Sequence, residues 1–260
     1  MRIRRVVCCL ACLGALGGLC LVGLEVVFRW GMGAEFSPMH MAVLNNDVAE
    51  VRRLAQQGKW VNAQGGKYGD TPLGLAVAGR HREIAELLIA SGADLDRGGG
   101  LSIAGYRGDV EFATLLLKHG ARVDGGPSAA VSPLFMAVDY GQSEVGRLLI
   151  AHGADVNYRS SHVWGQTVLQ RAATSAPLAL VALILEKGAR VNESDDSGRT
   201  ALHNAAARGR LDVVKLLIRF GAAREAVDHG GNTSEDLAEQ HGHMDVLRFL
   251  LRRNPGEMRQ

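Results

Sequence analysis

The chain has 260 residues, with 29 Lys and Arg against 27 Asp and Glu, a net charge of +2. That length supports one large domain or two small ones with a sizeable core. Beyond residue 30 the balance is 25 basic to 26 acidic residues, which argues against a nucleic-acid partner, because a polyphosphate needs a concentrated excess of cations.

Residues 1–30, "MRIRRVVCCLACLGALGGLCLVGLEVVFRW", put Arg2, Arg4 and Arg5 before an apolar run from Val6 to Phe28 that only Glu25 interrupts. The nineteen residues from Val6 to Leu24 carry no charge, close to the length a helix needs to cross a bilayer. Residues 1–30 are therefore expected to be a signal anchor, with a single transmembrane helix over 6–28. The basic flank keeps the N-terminus cytoplasmic, which displays the rest on the exported, periplasmic side. A cleaved signal peptide is the alternative and would make the protein secreted. Against it, Arg29-Trp30 stands where a small-residue cleavage site belongs, although Gly31 to Ala34 offers another. A lipoprotein is a third reading, weakened by the large Leu19 before Cys20. All four cysteines (Cys8, Cys9, Cys12, Cys20) lie in this stretch, so the remainder needs no disulfide. Arg outnumbers Lys by 24 to 5; with abundant Ala, Gly, Leu and Val, this is the usage of a GC-rich, bacterial genome.

After a linker at 31–36, a short motif recurs. Thr200-Ala201-Leu202-His203 has counterparts in Ser37-Pro38-Met39-His40, Thr71-Pro72-Leu73-Gly74, Ser132-Pro133-Leu134-Phe135, Thr167-Val168-Leu169-Gln170 and Thr233-Ser234-Glu235-Asp236, with a weaker copy from Gly99. The starts at 37, 71, 99, 132, 167, 200 and 233 are 34, 28, 33, 35, 33 and 33 residues apart. Ser37, Thr71 and Ser132 are expected to cap a first helix through the side-chain oxygen, with proline at its first position. Alanines at a fixed offset, from Ala42 to Ala238, let neighbouring helices approach. Leu87-Leu88, Leu115-Leu116, Leu148-Leu149, Leu216-Leu217 and Leu250-Leu251 are expected to form the core face of a second helix. Gly58, Gly92, Gly120, Gly153, Gly188 and Gly221 close that helix in the left-handed conformation. No single unit can bury its apolar face, whereas stacked units can.

A period near 33 with this motif resembles the ankyrin repeat, over about residues 35–253. The resemblance implies an all-α chain: an ankyrin-type α-solenoid of about seven repeats over 37–253 with β-hairpin-like finger loops, monomeric, followed by a tail at 254–260. Glu235 and Asp236 in the last unit read as a polar end cap. At "DRGGGLSIAG" the 28-residue spacing removes most of one finger and one N-cap, through drift in a tolerant loop or as a hinge or gap that admits a partner. "NYRSSHVWGQ", before Thr167, has two extra residues and lengthens its finger. At Ala176-Pro177 the proline is expected to open a second helix.

Nine histidines invite a metal reading, but none stands in HExxH spacing and no cysteine remains beyond residue 20, so no metal site is expected. In the family, histidines at the positions of His40 and His203 hydrogen-bond within the turn motif. Gly98 to Gly100 lack the Lys-Ser/Thr of a phosphate loop, and no serine sits in a G-x-S-x-G frame. The chain is expected to be no enzyme, with no cofactor and no small-molecule substrate.

What remains is surface. By offset from the motif, the finger tips and first-helix ends, the family's recognition face, hold Lys67, Tyr68, Asp70, Tyr106, Arg107, Asp139, Tyr140, Trp164, Gln166, Arg208 and His241. Three of the four tyrosines fall there, and Tyr, Trp and Arg are enriched in binding hot spots. The function expected is a membrane-tethered protein–protein interaction module that binds a protein partner through this face. A stoichiometric inhibitor or immunity partner of one envelope enzyme is the alternative, as is an effector if the first helix is cleaved.

Overall fold

The computed structural model of the protein describes residues 36–66, 69–126 and 131–252. The expected anchor at 6–28 and the tail at 254–260 lie outside the described residues, as do Lys67 and Tyr68. Among the described residues, no helix is long and apolar enough to cross a membrane.

Fourteen α-helices occur among the described residues, in alternating first and second helices of each repeat. The first helices are α1 (Pro38–Leu44), α3 (Pro72–Gly79), α5 (Gly100–Arg107), α7 (Pro133–Asp139), α9 (Val168–Ser175), α11 (Ala201–Ala207) and α13 (Ser234–Gln240). The second helices are α2 (Val48–Gln56), α4 (Arg82–Ala90), α6 (Val110–Lys118), α8 (Ser143–Ala151), α10 (Leu178–Glu186), α12 (Leu211–Arg219) and α14 (Met244–Leu251). The described residues contain no strand, only isolated antiparallel bridges between Gly65 and Asp70 and between Arg159 and Thr167. Both bridges close fingers.

The described residues divide into two compact units, one lying within 36–104 and 109–126, the other of residues 105–108 and 131–252. In the first, α1 packs on α3 and α2 on α4; in the second, α7, α9, α11 and α13 pack in sequence, as do α8, α10, α12 and α14. Helices of seven to nine residues are too short to persist alone, so this layering is what stabilises them. α3 is apolar all round because neighbouring chain covers it on more than one side; every residue from Pro72 to Ala78 is buried. The alanines at the fixed offset, such as Ala76, Ala137, Ala172, Ala205 and Ala238, are completely buried.

The second helices are one-sided, and here the leucine pairs need correction. Only one member of each pair is fully buried: Leu88, Leu116, Leu149 and Leu217, each at 0% exposure. A one-residue step turns a helix by about 100°, which carries the other leucine to the margin. In α14 Leu250 is the buried member and Leu251 is 64% exposed.

Caps differ from expectation at Ser132, and at Ser37 the hydroxyl meets the His40 ring instead. The Thr71 hydroxyl accepts from the Gly74 N–H at 3.1 Å, and Thr167 does the same for Gln170 at 3.1 Å. Ser132 occupies the equivalent position, but its side chain makes no cap hydrogen bond and its buried Oγ has no partner. Thr71→Ala should therefore cost about 1 kcal/mol, while Ser132→Ala should change stability by less than half of that. Urea midpoints of the two variants check this.

The fourth residue of each motif links its repeat to the next finger, and its chemistry follows what that finger offers. The His203 Nδ1 accepts from the Thr200 N–H at 3.1 Å, so the ring proton sits on Nε2 and is donated to the Asn232 carbonyl, 3.2 Å away. His40 repeats this between Ser37 (3.1 Å) and the Asp70 carbonyl (3.0 Å). Gln170 does both jobs with one amide: Oε1 accepts from Thr167 N–H at 2.7 Å, and Nε2 donates to the Arg199 carbonyl. Phe135 uses its ring instead, meeting Tyr158 of the long finger edge-on with centroids 5.9 Å apart. Asp236, in the last motif, accepts from both the N–H and hydroxyl of Thr233 at 2.8 and 2.7 Å; a carboxylate has nothing to donate onward, which suits an end repeat.

The fourth residue at the short repeat is Gly74. The turn at Arg97–Gly99 runs straight into α5, and a Cβ on Gly74 would come within 3.1 Å of the Gly98 carbonyl. The shortened backbone thus crowds the position from which the fourth residue of other motifs extends its side chain.

A second ladder runs below the fingers. The Asn157 amide donates to the Gly188 carbonyl at 3.2 Å and accepts from the Arg190 N–H at 2.8 Å. Asn62 bridges to Gly92 and Asp94 in the same way, and Asn192 to Gly221 and Ala223. The carbonyls they take up belong to the glycines that end second helices, with φ between 83° and 88° at Gly92, Gly188 and Gly221.

Burial lowers the pKa of His203, with hydrogen bonding to Asn232 opposing it, and lowers those of His40 and His81 as well. A depressed histidine stabilises the fold fully above its unfolded value of about 6.5 and loses that contribution as pH falls through the folded value. His203→Gln copies Gln170 and cannot titrate. It should keep the fold at pH 7.5 and lose less stability than the wild type between pH 7.5 and 5, read as a flatter dependence of the urea midpoint on pH.

Candidate functional site

The long finger of the second unit is built from a closed set of hydrogen bonds. Ser160 N–H donates to the Gln166 carbonyl at 2.9 Å, and Gln166 N–H to the Val163 carbonyl at 2.9 Å. The buried Ser160 hydroxyl accepts from the N–H groups of His162 and Val163 at 3.3 and 3.2 Å. Arg159 Nε donates to the Gly165 carbonyl at 2.8 Å, and its Nη2 pairs with Asp196 Oδ1 of the next finger at 2.7 Å. Asp196 N–H also donates to the Trp164 carbonyl at 2.9 Å. Backbone and base of the finger are thereby fixed.

What this frame carries outward is Trp164. Its side chain is 76% exposed, on a backbone with φ of +51°, a left-handed conformation that is rare for a bulky residue. Backbone strain of this kind costs on the order of 1–3 kcal/mol and persists only where neighbours impose it. An indole that projects into solvent from a fixed backbone serves no packing purpose.

The next two fingers are equally tied. Asp195 Oδ1 accepts from the N–H groups of Ser197 and Arg199 at 2.9 and 3.0 Å. Asp228 Oδ1 accepts from Gly230 and Asn232 N–H at 2.9 and 3.0 Å. The backbone N–H of Asn232, with its side-chain amide and Arg199, holds the Asp228 carboxyl down to about 2. His229 N–H donates to the Ser197 carbonyl at 2.9 Å, so the tips form a laced row starting at Trp164.

At the first-helix ends, Tyr106 and Tyr140 come together edge to face, centroids 4.3 Å apart at 84°. Gly105 permits this, since a Cβ there would lie 2.7 Å from the Pro133 carbonyl. Tyr140 is 46% exposed, and Arg107 and Arg208 are exposed beside the helix ends. Asp139 is different: it forms an ion pair with Arg171 of the next repeat, a partner that sequence reasoning missed because it lies 32 residues away. Gln166 is half-buried, with a buried Oε1, so it supports the finger more than it faces outward. His241 has Nδ1 at 2.9 Å from the Leu237 carbonyl and its ring parallel to that of His243, centroids 6.4 Å apart. Asp70 belongs to the first unit, where its carbonyl closes the finger bridge to Gly65 and burial raises the pKa of its carboxyl.

Trp60 also escaped the sequence reading. It is 40% exposed, left-handed at φ +61°, with Lys59 Nζ 5.8 Å from the ring centroid. The available signal was positional, because Asp94 and Asp155 occupy its place in other repeats. Among the described residues, no three His, Cys, Asp or Glu side chains converge to hold a metal ion.

Family models for ankyrin repeats match residues 21–98 (three copies), 131–161 (a single repeat) and 169–218 (many copies). Together they take in more than half of the sequence, and the chain belongs to the ankyrin-repeat family. It is 32% identical over 145 residues to the ankyrin repeat and KH domain-containing protein mask-1 of Caenorhabditis elegans, covering 55% of this chain and 5% of that protein. It is 33% identical over 158 residues to the nuclear factor NF-kappa-B p105 subunit of Gallus gallus, covering 58% and 16% respectively. A putative ankyrin repeat-containing protein of Treponema pallidum is 39% identical over 90 residues, 34% of this chain and 30% of that one. The chain thus spans a small part of the length of these relatives.

Proposed function

We propose that the protein is a non-enzymatic interaction module that grips one protein partner through the finger row and first-helix ends of its second unit. Ankyrin repeats are protein–protein interaction modules, and the observation that carries the assignment to this surface is the solvent-facing Trp164 on its hydrogen-bonded finger. Tyr106, Tyr140, Arg107 and Arg208 supply further contact area of the types that dominate interface energetics. Lys67, Tyr68 and Asp70 of the first unit are proposed as partner contacts on their position in the repeat alone.

In the same reading, residues 6–28 tether the protein to a bacterial membrane with the repeats on the exported side; the support is the uncharged run from Val6 to Leu24 behind three arginines. The test is a cross-linked pull-down from detergent-solubilised membranes, comparing the wild type with Trp164→Asn and Tyr106→Ala/Tyr140→Ala variants. A protein recovered by the wild type and lost with the variants supports the surface. Equal recovery by all three places binding elsewhere.

A further inference from the structure

The outer face of the last two second helices has a composition that packing does not explain. Lys215 and Arg219 lie one turn apart on α12, and Arg248 and Arg252 occupy the matching positions at α14, all four exposed. The same positions of α8 and α10 hold Arg147, Ala151, Ala182 and Glu186, so the cations are concentrated at this end of the chain. None of the four enters an ion pair among the described residues. The carboxylates of these helices, Asp212 and Asp245, sit in the first turns, and Asp212 lies 3.9 Å from Arg210. Glu225 is exposed in the following loop, and Glu235, Asp236 and Glu239 lie on α13 in the other helix layer.

Apolar side chains stand among these cations. Phe220 follows Arg219 and is 39% exposed; Leu251 precedes Arg252 and is 64% exposed. Between the helices, Phe249 is flanked by Lys215 Nζ and the Arg224 guanidinium, each 5.7 Å from its ring centroid. In α12 the counterpart of Leu251 is Ile218, which is only half-exposed, so the exposure of Leu251 belongs to this end.

We infer that the outer face of α12 and α14 docks on an anionic lipid surface. Cations paired with adjacent protruding apolar groups match a bilayer interface, where lipid phosphates take the charges and the boundary of the acyl region takes Phe220 and Leu251. A peptide of acidic residues alone would use the cations and leave the two apolar residues in water. The inference is independent of whether residues 6–28 span a membrane.

Hydrogen exchange of the full chain tests it, with vesicles of phosphatidylcholine alone or of phosphatidylcholine with phosphatidylglycerol. Amides of 211–220 and 244–251 should exchange more slowly with the anionic vesicles only, and high salt should remove the effect. Replacing Lys215, Arg219, Arg248 and Arg252 by Gln should weaken vesicle-dependent protection by on the order of a hundredfold or more in lipid concentration, at roughly fivefold per cation. Phe220→Ser with Leu251→Ser, which keeps every charge, should weaken it by at least about tenfold. Equal protection by both vesicle types, or by neither, overturns the inference. Protection by a soluble polyglutamate peptide but not by anionic vesicles also overturns it and assigns the face to an acidic protein.

Discussion

Replacing Trp164 by asparagine is expected to weaken binding of the protein partner by about 30-fold or more, with the fold intact. Asparagine is the informative substitution because it tolerates the left-handed backbone that Trp164 adopts at φ +51°. Any lost affinity then reports the indole, not a rearranged finger. The expected size follows from hot-spot behaviour, where truncating a central aromatic costs about 2 kcal/mol or more. Thermal stability should hold or rise, since the side chain is 76% exposed and buries little. Titration calorimetry against the recovered partner, beside a melting curve of each protein, gives both numbers. Unchanged affinity with unchanged melting would show that the finger presents its indole to no partner.

Phe135→Ala should have the largest effect on stability, a loss of about 3–5 kcal/mol. Phe135 is 1% exposed, sits where other repeats place histidine or glutamine, and holds the long finger through Tyr158. Alanine there leaves a cavity and detaches the base of the finger in one step. Two consequences separate this from ordinary core damage. Amides of residues 158–166 should exchange faster than those of α11, and partner affinity should fall although Phe135 itself is buried. Urea unfolding at pH 7.5 measures the first quantity, and a loss below about 1 kcal/mol would mean that Phe135 is not the link between its repeat and the next finger.

The candidate site was only partly legible in the sequence. Tyr106, Tyr140, Arg107, Trp164 and Arg208 could be placed at helix ends and on a finger because the repeat fixes an offset for each. Their availability could not be read the same way. Asp139 has the same offset as Tyr106, yet it is taken up by Arg171 one repeat on. Gln166 is two residues from Trp164, yet its amide turns inward while the indole turns out. The basic face on α12 and α14 was not singled out at all, because its charges are spread over two helices 33 residues apart in sequence and appear as a group only when those helices lie side by side.

The sequence by itself showed an all-helical repeat near 33 residues long, with its helix-opening motif and its glycine turns. Each of these depends on hydrogen bonds and steric limits within about five residues, as with the Thr-Pro openings and the left-handed glycines. It also showed where the pattern fails, at the 28-residue spacing and at the lengthened finger. Only the tertiary structure decided which leucine of each pair is core, why Gly74 faces a shortened turn, what His203, Gln170 and Phe135 reach, and that Asp139 pairs with Arg171. Those outcomes depend on partners about 30 residues away, in the next repeat, and a side chain's position within its own motif says nothing about what that neighbour presents.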